Sequence, residues 1–197
     1  VTALLCGSAL AVSGLLLQTY FNNYLADPSI LGISSGASFG VGVVMLILGG
    51  SVGIGSLSFS GFLAVLVGAV IGSLLVMSVL LFFSSLVKDS LTLLIIGIMI
   101  GYITSSVISL LNFFATAEGV HSYVIWGLGT FGGVSSAQLP FFSATIIIGL
   151  IGTILLIKPL NALLLGERYA TNLGVNVRHI RNYILLTVGL LTACVTA

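Results

Sequence analysis

Few side chains among these 197 residues can do chemistry, and their spacing limits what chemistry that is. The acids are Asp27, Asp89, Glu118 and Glu167, the histidines are His121 and His179, and the thiols are Cys6 and Cys194. Glu118 and His121 stand three apart and could share a metal ion. A structural site takes about four such ligands, so this pair reads as part of a solvated loop. Cys6 and Cys194 both fall in apolar runs and read as small packing residues rather than a disulfide. No G-x-x-x-x-G-K-[ST] segment is present to cradle a nucleotide. The chain is expected to bind no cofactor or metal and to be no enzyme.

The elements that hold these few groups are set by composition. Only 5% of the residues are charged and 58% are hydrophobic, with 25 glycines besides. A soluble domain carries roughly 25% charged residues, which this chain lacks for covering a water-facing surface. That excludes a soluble enzyme, a secreted disulfide scaffold and a nucleic-acid partner. Disorder, which needs low hydrophobicity and high charge, is excluded as well. No Asp, Glu, Lys or Arg lies between Asp27 and Lys88, between Asp89 and Glu118, over 119–157 or beyond Arg181. Backbone in lipid must satisfy its hydrogen bonds internally, and these runs do not alternate as barrel strands would. The expected fold is all-α, a polytopic transmembrane bundle in one domain over 1–197, in contact with membrane lipid. Six crossings are expected, at 1–20, 32–50, 56–86, 91–114, 138–157 and 183–197.

Alternate loops then fall on opposite sides. One side receives 21–31, 87–90 and 158–182, and the other 51–55 and 115–137. All five basic residues, Lys88, Lys158, Arg168, Arg178 and Arg181, lie in the first set. The positive-inside rule makes that set cytoplasmic. In the other set, Tyr123 and Trp126 suit the headgroup interface, and 122–129 is expected as a short helix near the surface.

Glycines recur at four-residue spacing as Gly36/Gly40, Gly68/Gly72, Gly97/Gly101 and Gly129/Gly133. Small residues on one helix face let backbones approach closely in lipid, so ordinary helix packing is expected of them. Thr104, Ser105, Ser109 and Asn112 recur every three or four residues. They could line a neutral path, or bond to carbonyls one turn back. No ionisable residue lies well inside a crossing, which counts against a proton- or sodium-coupled carrier.

The last cytoplasmic loop is the most informative segment. Pro159 is expected to end or offset the fifth crossing. Leu160, Leu163, Leu164, Ala170 and Leu173, mixed with Asn161, Glu167, Arg168 and Asn172, predict two short amphipathic helices over 159–176. They should hinge near Gly166 and stop at Gly174. Such an element can lie on lipid or insert into a groove on a partner.

Gly166-Glu-Arg-Tyr-Ala-Thr-Asn-Leu-Gly-Val175 resembles the G-E-x-x-A-x-x-L-G-V signature of permease subunits in the iron-chelate and cobalamin class of ABC importers, the FecCD/BtuC-like family. Gly14-Leu-Leu-Leu-Gln-Thr-Tyr-Phe-Asn-Asn-Tyr-Leu-Ala-Asp-Pro-Ser-Ile-Leu-Gly-Ile-Ser-Ser-Gly-Ala37 is similar to its G-x-x-x-Q-x-x-x-x-N-P-L-A-x-P-x-x-L-G-x-x-x-G-A segment, with Tyr24 in place of Pro. Trp126-Gly-Leu-Gly-Thr130 resembles its W-x-x-G-S segment. The resemblance implies the second to seventh helices of a permease of about ten, in a bacterial inner membrane. It implies a second permease subunit, identical or related, around a central path. Two cytoplasmic ATPase subunits would bind ATP-Mg, and an extracytoplasmic substrate-binding protein would deliver an iron chelate (siderophore), haem or cobalamin.

Carried over residue by residue, Leu165, Gly166, Glu167, Ala170, Leu173, Gly174 and Val175 would couple to the ATPase. Asn23 and Leu25 would form part of the cytoplasmic gate, opposed by Ser90 and Leu91. The rival readings are a secondary carrier and a non-transporting membrane scaffold.

Overall fold

The computed structural model describes residues 1–49, 51–54, 57–87, 90–131, 134, 136 and 138–196. Apolar runs become helices: α1 (Thr2–Phe21), α2 (Ile33–Gly42) continued by a π-helical turn (Val43–Ile47), α3 (Phe62–Leu86), α4 (Ser90–Phe114), α5 (Ala117–Gly127), α6 (Leu139–Ile154), α7 (Ile157–Leu164), α8 (Glu167–Asn172) and α9 (Val177–Thr196). Strands β1 (Ser51–Ile54) and β2 (Leu57–Ser60) pair antiparallel, Ser51 opposite Ser60. Helices α1, α3, α4 and α9 are long and apolar enough to cross a membrane. Helices α6 and α7, bent by 50° at their junction, are long and apolar enough for a crossing only when taken together.

Four boundaries differ from expectation. The third crossing starts at Phe62, because the residues before it form the hairpin. The second is short: α2 and its π turn cover only Ile33–Ile47. The fifth breaks after Ile154, short of 157, with a 50° offset there of the kind expected near Pro159, which itself sits in the first turn of α7, where its missing N–H has no intrahelical role. Helix α9 opens at Val177, so Arg178 and Arg181 are helical rather than looped. Lys88 lies outside the described residues, as does the Gly133 of the fourth glycine pair.

Glycine decides which helices meet. A Cβ on Gly36 would come within 2.7 Å of the Gly72 carbonyl oxygen, and one on Gly68 within 2.9 Å of the Gly40 carbonyl oxygen. Helices α2 and α3 therefore run antiparallel in backbone contact, where dispersion accumulates over many atoms. Gly97 similarly admits the backbone of Leu31, whose Cα would lie 3.0 Å from a Cβ there. The main core joins Leu17 of α1, Leu31, Leu80 of α3, Leu93 of α4, Leu160 and Leu163 of α7, Ala170 of α8 and Leu185 of α9. A second core packs Val41 and Val44 against Ala64, Val65 and Ala69 near the start of α3.

Candidate functional site

The segment around Gly166 is built by backbone rules that its sequence satisfies. Gly166 adopts φ 105°, ψ 150°, a conformation essentially restricted to glycine, and turns the chain from α7 into α8. At the end of α8, Gly174 takes φ 84°. The Val175 amide donates to the Ala170 carbonyl at 3.0 Å, and the Gly174 amide to that of Thr171 at 3.0 Å. This pair of bonds is a Schellman motif, which satisfies carbonyls a helix end leaves free. Ala170 is fully buried and Val175 is packed against the same core. Outward, Leu165 is 67% and Leu173 60% exposed, with Leu164 and Tyr169 exposed beside them. Glu167 opens α8, and its side chain lies outside the described residues. The result is a small knob, fixed from within, whose outer side mixes exposed Leu164, Leu165, Tyr169 and Leu173 with Arg168, Thr171 and Asn172.

The turn after α1 uses the same device. Asn22 takes a left-handed conformation (φ 46°), and the Asn23 amide donates to the Gln18 carbonyl at 3.1 Å. Asn23 Oδ1 then accepts the Leu25 amide at 2.9 Å, and Asp27 Oδ1 accepts the Ser29 amide at 2.8 Å. These side-chain bonds mimic backbone turns and stiffen the segment. Ala26 and Pro28 are buried, whereas Tyr24 and Leu25 project outward. Of the residues expected to oppose this turn, Leu91 is exposed in the first turn of α4, and the Ser90 side chain lies outside the described residues. Leu31 joins this turn to Leu93 and Leu94 through the main core.

One cation behaves differently from the sequence reading, which took Arg181 as one of several loop charges. Arg181 is 5% exposed, and its Nη1 donates to the Val87 carbonyl at 3.0 Å. Its Nη2 donates to the Ser84 carbonyl. Nothing local signals this, since the partners lie more than ninety positions away. The contact sets the start of α9, and α8 just before it, at the α3 end that carries Ser84.

Along α4, three of the four polar residues that could have faced a path bond one turn back. Thr104 donates to the Ile100 carbonyl at 2.7 Å, Ser109 to that of Ser105 at 3.0 Å, and the Asn112 amide to that of Ile108 at 3.0 Å. Ser105 and Ser109 remain exposed, on a helix only 22% buried against 44% for α3.

The opposite end, near the start of α3, carries α5. Thr116 caps it, accepting the Gly119 amide at 3.2 Å, and Gly119 lies close under the Met45 carbonyl. Burial pushes the Tyr123 phenol above its ordinary pKa, with a hydrogen bond to Ser38 acting in the other direction. A cavity of about 1050 Å³ opens here, lined by Glu118, Tyr123, Trp126, Phe142 and both cysteines. Cys6 and Cys194 are free thiols, and Glu118 and His121 are exposed. No grouping of three His, Cys, Asp or Glu occurs among the described residues.

A knob with this signature, a stiffened turn after the first span and a bundle of apolar helices together match one family over the whole sequence: the FecCD transport family profile aligns with residues 1–197. The chain belongs to the FecCD transport family. It is a multi-pass membrane protein of that family, built of apolar helices. It is 33% identical to the hemin transport system permease protein HmuU of Yersinia pestis, over 99% of this chain and 57% of that protein. It is 34% identical to the vitamin B12 import system permease protein BtuC of Salmonella paratyphi A, over 94% of this chain and 54% of that protein. The fold matches a solved metal-chelate type ABC transporter in an inward-facing conformation, with a TM-score of 0.84 and 30% identity, over 98% of this chain and 59% of that one. The chain spans about half the length of the curated relatives it matches.

Proposed function

We propose that this chain is the central part of a permease subunit in an ATP-driven importer that moves an iron chelate, haem or cobalamin into the cytoplasm. The observation that carries the reading is the knob at Gly166. Its inner face, Ala170, is fully buried, while Leu165 and Leu173 stand in the open on an element locked by glycine geometry. Exposed apolar clusters on a rigid support are partner-binding surfaces. Membership of the FecCD family supports a cytoplasmic ATPase as that partner, two copies of which would hold ATP-Mg and do the hydrolysis. Leu165, Gly166, Glu167, Ala170, Leu173, Gly174 and Val175 form that interface or support it.

ATP-driven closure of the ATPase pair would displace the knob and, with it, the helices on either side. Switching between packed arrangements by rigid-body movement is an ordinary transport device. Asn23 and Leu25, opposed by Ser90 and Leu91, gate the path at the cytoplasmic end. The bare face of α4, with Tyr102, Ser105 and Ser109 exposed, suits a path shared with a second permease subunit. An extracytoplasmic binding protein delivers the cargo to the end that carries α5. The five basic residues, all within 87–90 and 158–182, support a cytoplasmic location for those loops and for 21–31 on the same side.

The test is uptake by the full-length subunit reconstituted in liposomes with its ATPase and binding protein, offering haem, cobalamin and a ferric siderophore in turn. Uptake of one cargo that requires ATP and survives collapse of proton and sodium gradients is expected. Uptake that follows the gradients and ignores ATP would establish a secondary carrier instead.

A further inference from the structure

Arg181 occupies a place that neither the gate nor the ATPase surface accounts for. Lys158, Arg168 and Arg178 are exposed, whereas Arg181 is sealed at 5% exposure. A buried charge persists only where it is hydrogen-bonded, and its partners here are the carbonyls of Ser84 and Val87. These belong to the last turn and cap of α3, where carbonyls have no intrahelical donor and the helix dipole favours a cation. Beside this contact the fully buried Ser84 hydroxyl donates to Asn182 Oδ1 at 3.0 Å, a second bond between the same two helices.

The residues on either side of the joint are just as directly connected. Val175 closes α8, and Asn176 follows at once as the cap of α9, its Oδ1 accepting the His179 amide at 3.2 Å. Arg181 lies in the second turn of α9. Across the joint, Val87 leads in three residues to Ser90 and Leu91 at the start of α4. We propose that Arg181 is a positioning residue that clamps α8, the start of α9 and the end of α3 into one rigid body, so that a displacement imposed on 165–175 is delivered to the gate turn at Ser90 and Leu91. This rests on the ATPase-coupling reading above. It adds a route from the coupling knob to one half of the gate, through two helices that also share an apolar core at Val76, Leu80, Ile184 and Leu185 and are joined at their ends by buried polar groups.

The experiment uses the complete transporter in liposomes, with ATPase binding, ATP hydrolysis and cargo moved per ATP measured separately. Arg181→Met should keep ATPase binding and hydrolysis close to wild type while cargo per ATP falls about tenfold, a coupling loss of ordinary size. Arg181→Lys, which restores a cation and donors, should recover most of it. A cap that served stability alone would lower the amount of folded protein and leave the ratio unchanged. Normal cargo per ATP in Arg181→Met, with ATPase bound, overturns the clamp and leaves the coupling reading standing. A wild-type subunit that binds no ATPase overturns both.

Because Arg181→Met can fail to fold, a second measurement leaves Arg181 in place. Spin labels at the exposed positions Ser85 and Arg178, in a cysteine-free background, flank the joint. Their separation should be the same in the nucleotide-free and ATP-trapped states. A change approaching one helical turn, about 5 Å, overturns the rigid body.

Discussion

The two ends of the bundle each carry a short helix, held on opposite terms. At one end α8 has Ala170 fully buried, a Schellman lock at Gly174, and Arg181 tying the next helix to α3. Its outward side shows Leu165 and Leu173. At the other end α5 buries no residue completely, and rests on the Thr116 cap, the approach of Gly119 to the Met45 carbonyl, and half-buried Tyr123 and Trp126. A helix seated by its inner face transmits displacement to whatever it is seated on. One resting by its edge on a cavity can shift without moving the bundle, because few contacts oppose local opening. On the function proposed above, the stiff end meets the ATPase and the lightly held end meets the cargo.

The contrast breaks most readily at the seat of α8. Ala170→Leu forces a larger side chain into a filled site and should destabilise the purified subunit by about 1–3 kcal/mol. Thermal unfolding in detergent should drop accordingly, and ATPase binding should be lost with the knob's orientation. An unchanged melting temperature with binding intact would mean α8 is not seated as described.

A smaller effect sharpens the other side. Thr116→Val removes the α5 cap and should cost about 1 kcal/mol, confined to that helix. Amide exchange should speed up within 117–127 while ATPase affinity stays the same. A loss of ATPase affinity in that variant would show that the two ends are not mechanically separate.

Much of the stiff end was legible in the sequence, because its geometry depends on residue types with few alternatives. Gly166 and Gly174 bracket α8 at positive φ, whereas the apolar spacing does not by itself mark the inward side: Leu160, Leu163 and Ala170 turn inward, Leu164 and Leu173 outward. The glycine pairs on α2 and α3 were legible as close contacts for the same reason, though not which pair meets which. Long-range polar contacts were not legible. Arg181 is a helical residue with carbonyl partners on α3, and only the folded chain brings them together.

The short second span was hidden as well. Serines and glycines over 34–40 lower hydropathy without showing that the preceding stretch folds as a tight turn seated on Gly97. The sequence pattern makes 51–55, which holds β1, a loop and puts β2 in the third crossing, since its residues continue an uncharged run into α3. For the polar face of α4 two outcomes stand open in the sequence; Thr104, Ser109 and the Asn112 amide nitrogen bond to carbonyls one turn back, while the buried Asn112 Oδ1 has no partner among the described residues.

The central claim, that the outer face of the Gly166 knob is the ATPase-binding surface, is tested most directly by affinity. The full-length subunit and its ATPase would be titrated in detergent, comparing wild type with Leu165→Asp plus Leu173→Asp. Both positions are exposed, so membrane insertion and thermal stability should be unchanged. The account predicts that affinity falls by about thirtyfold or more, the loss of at least one interfacial anchor of about 2 kcal/mol. Equal affinity for the two proteins would contradict it.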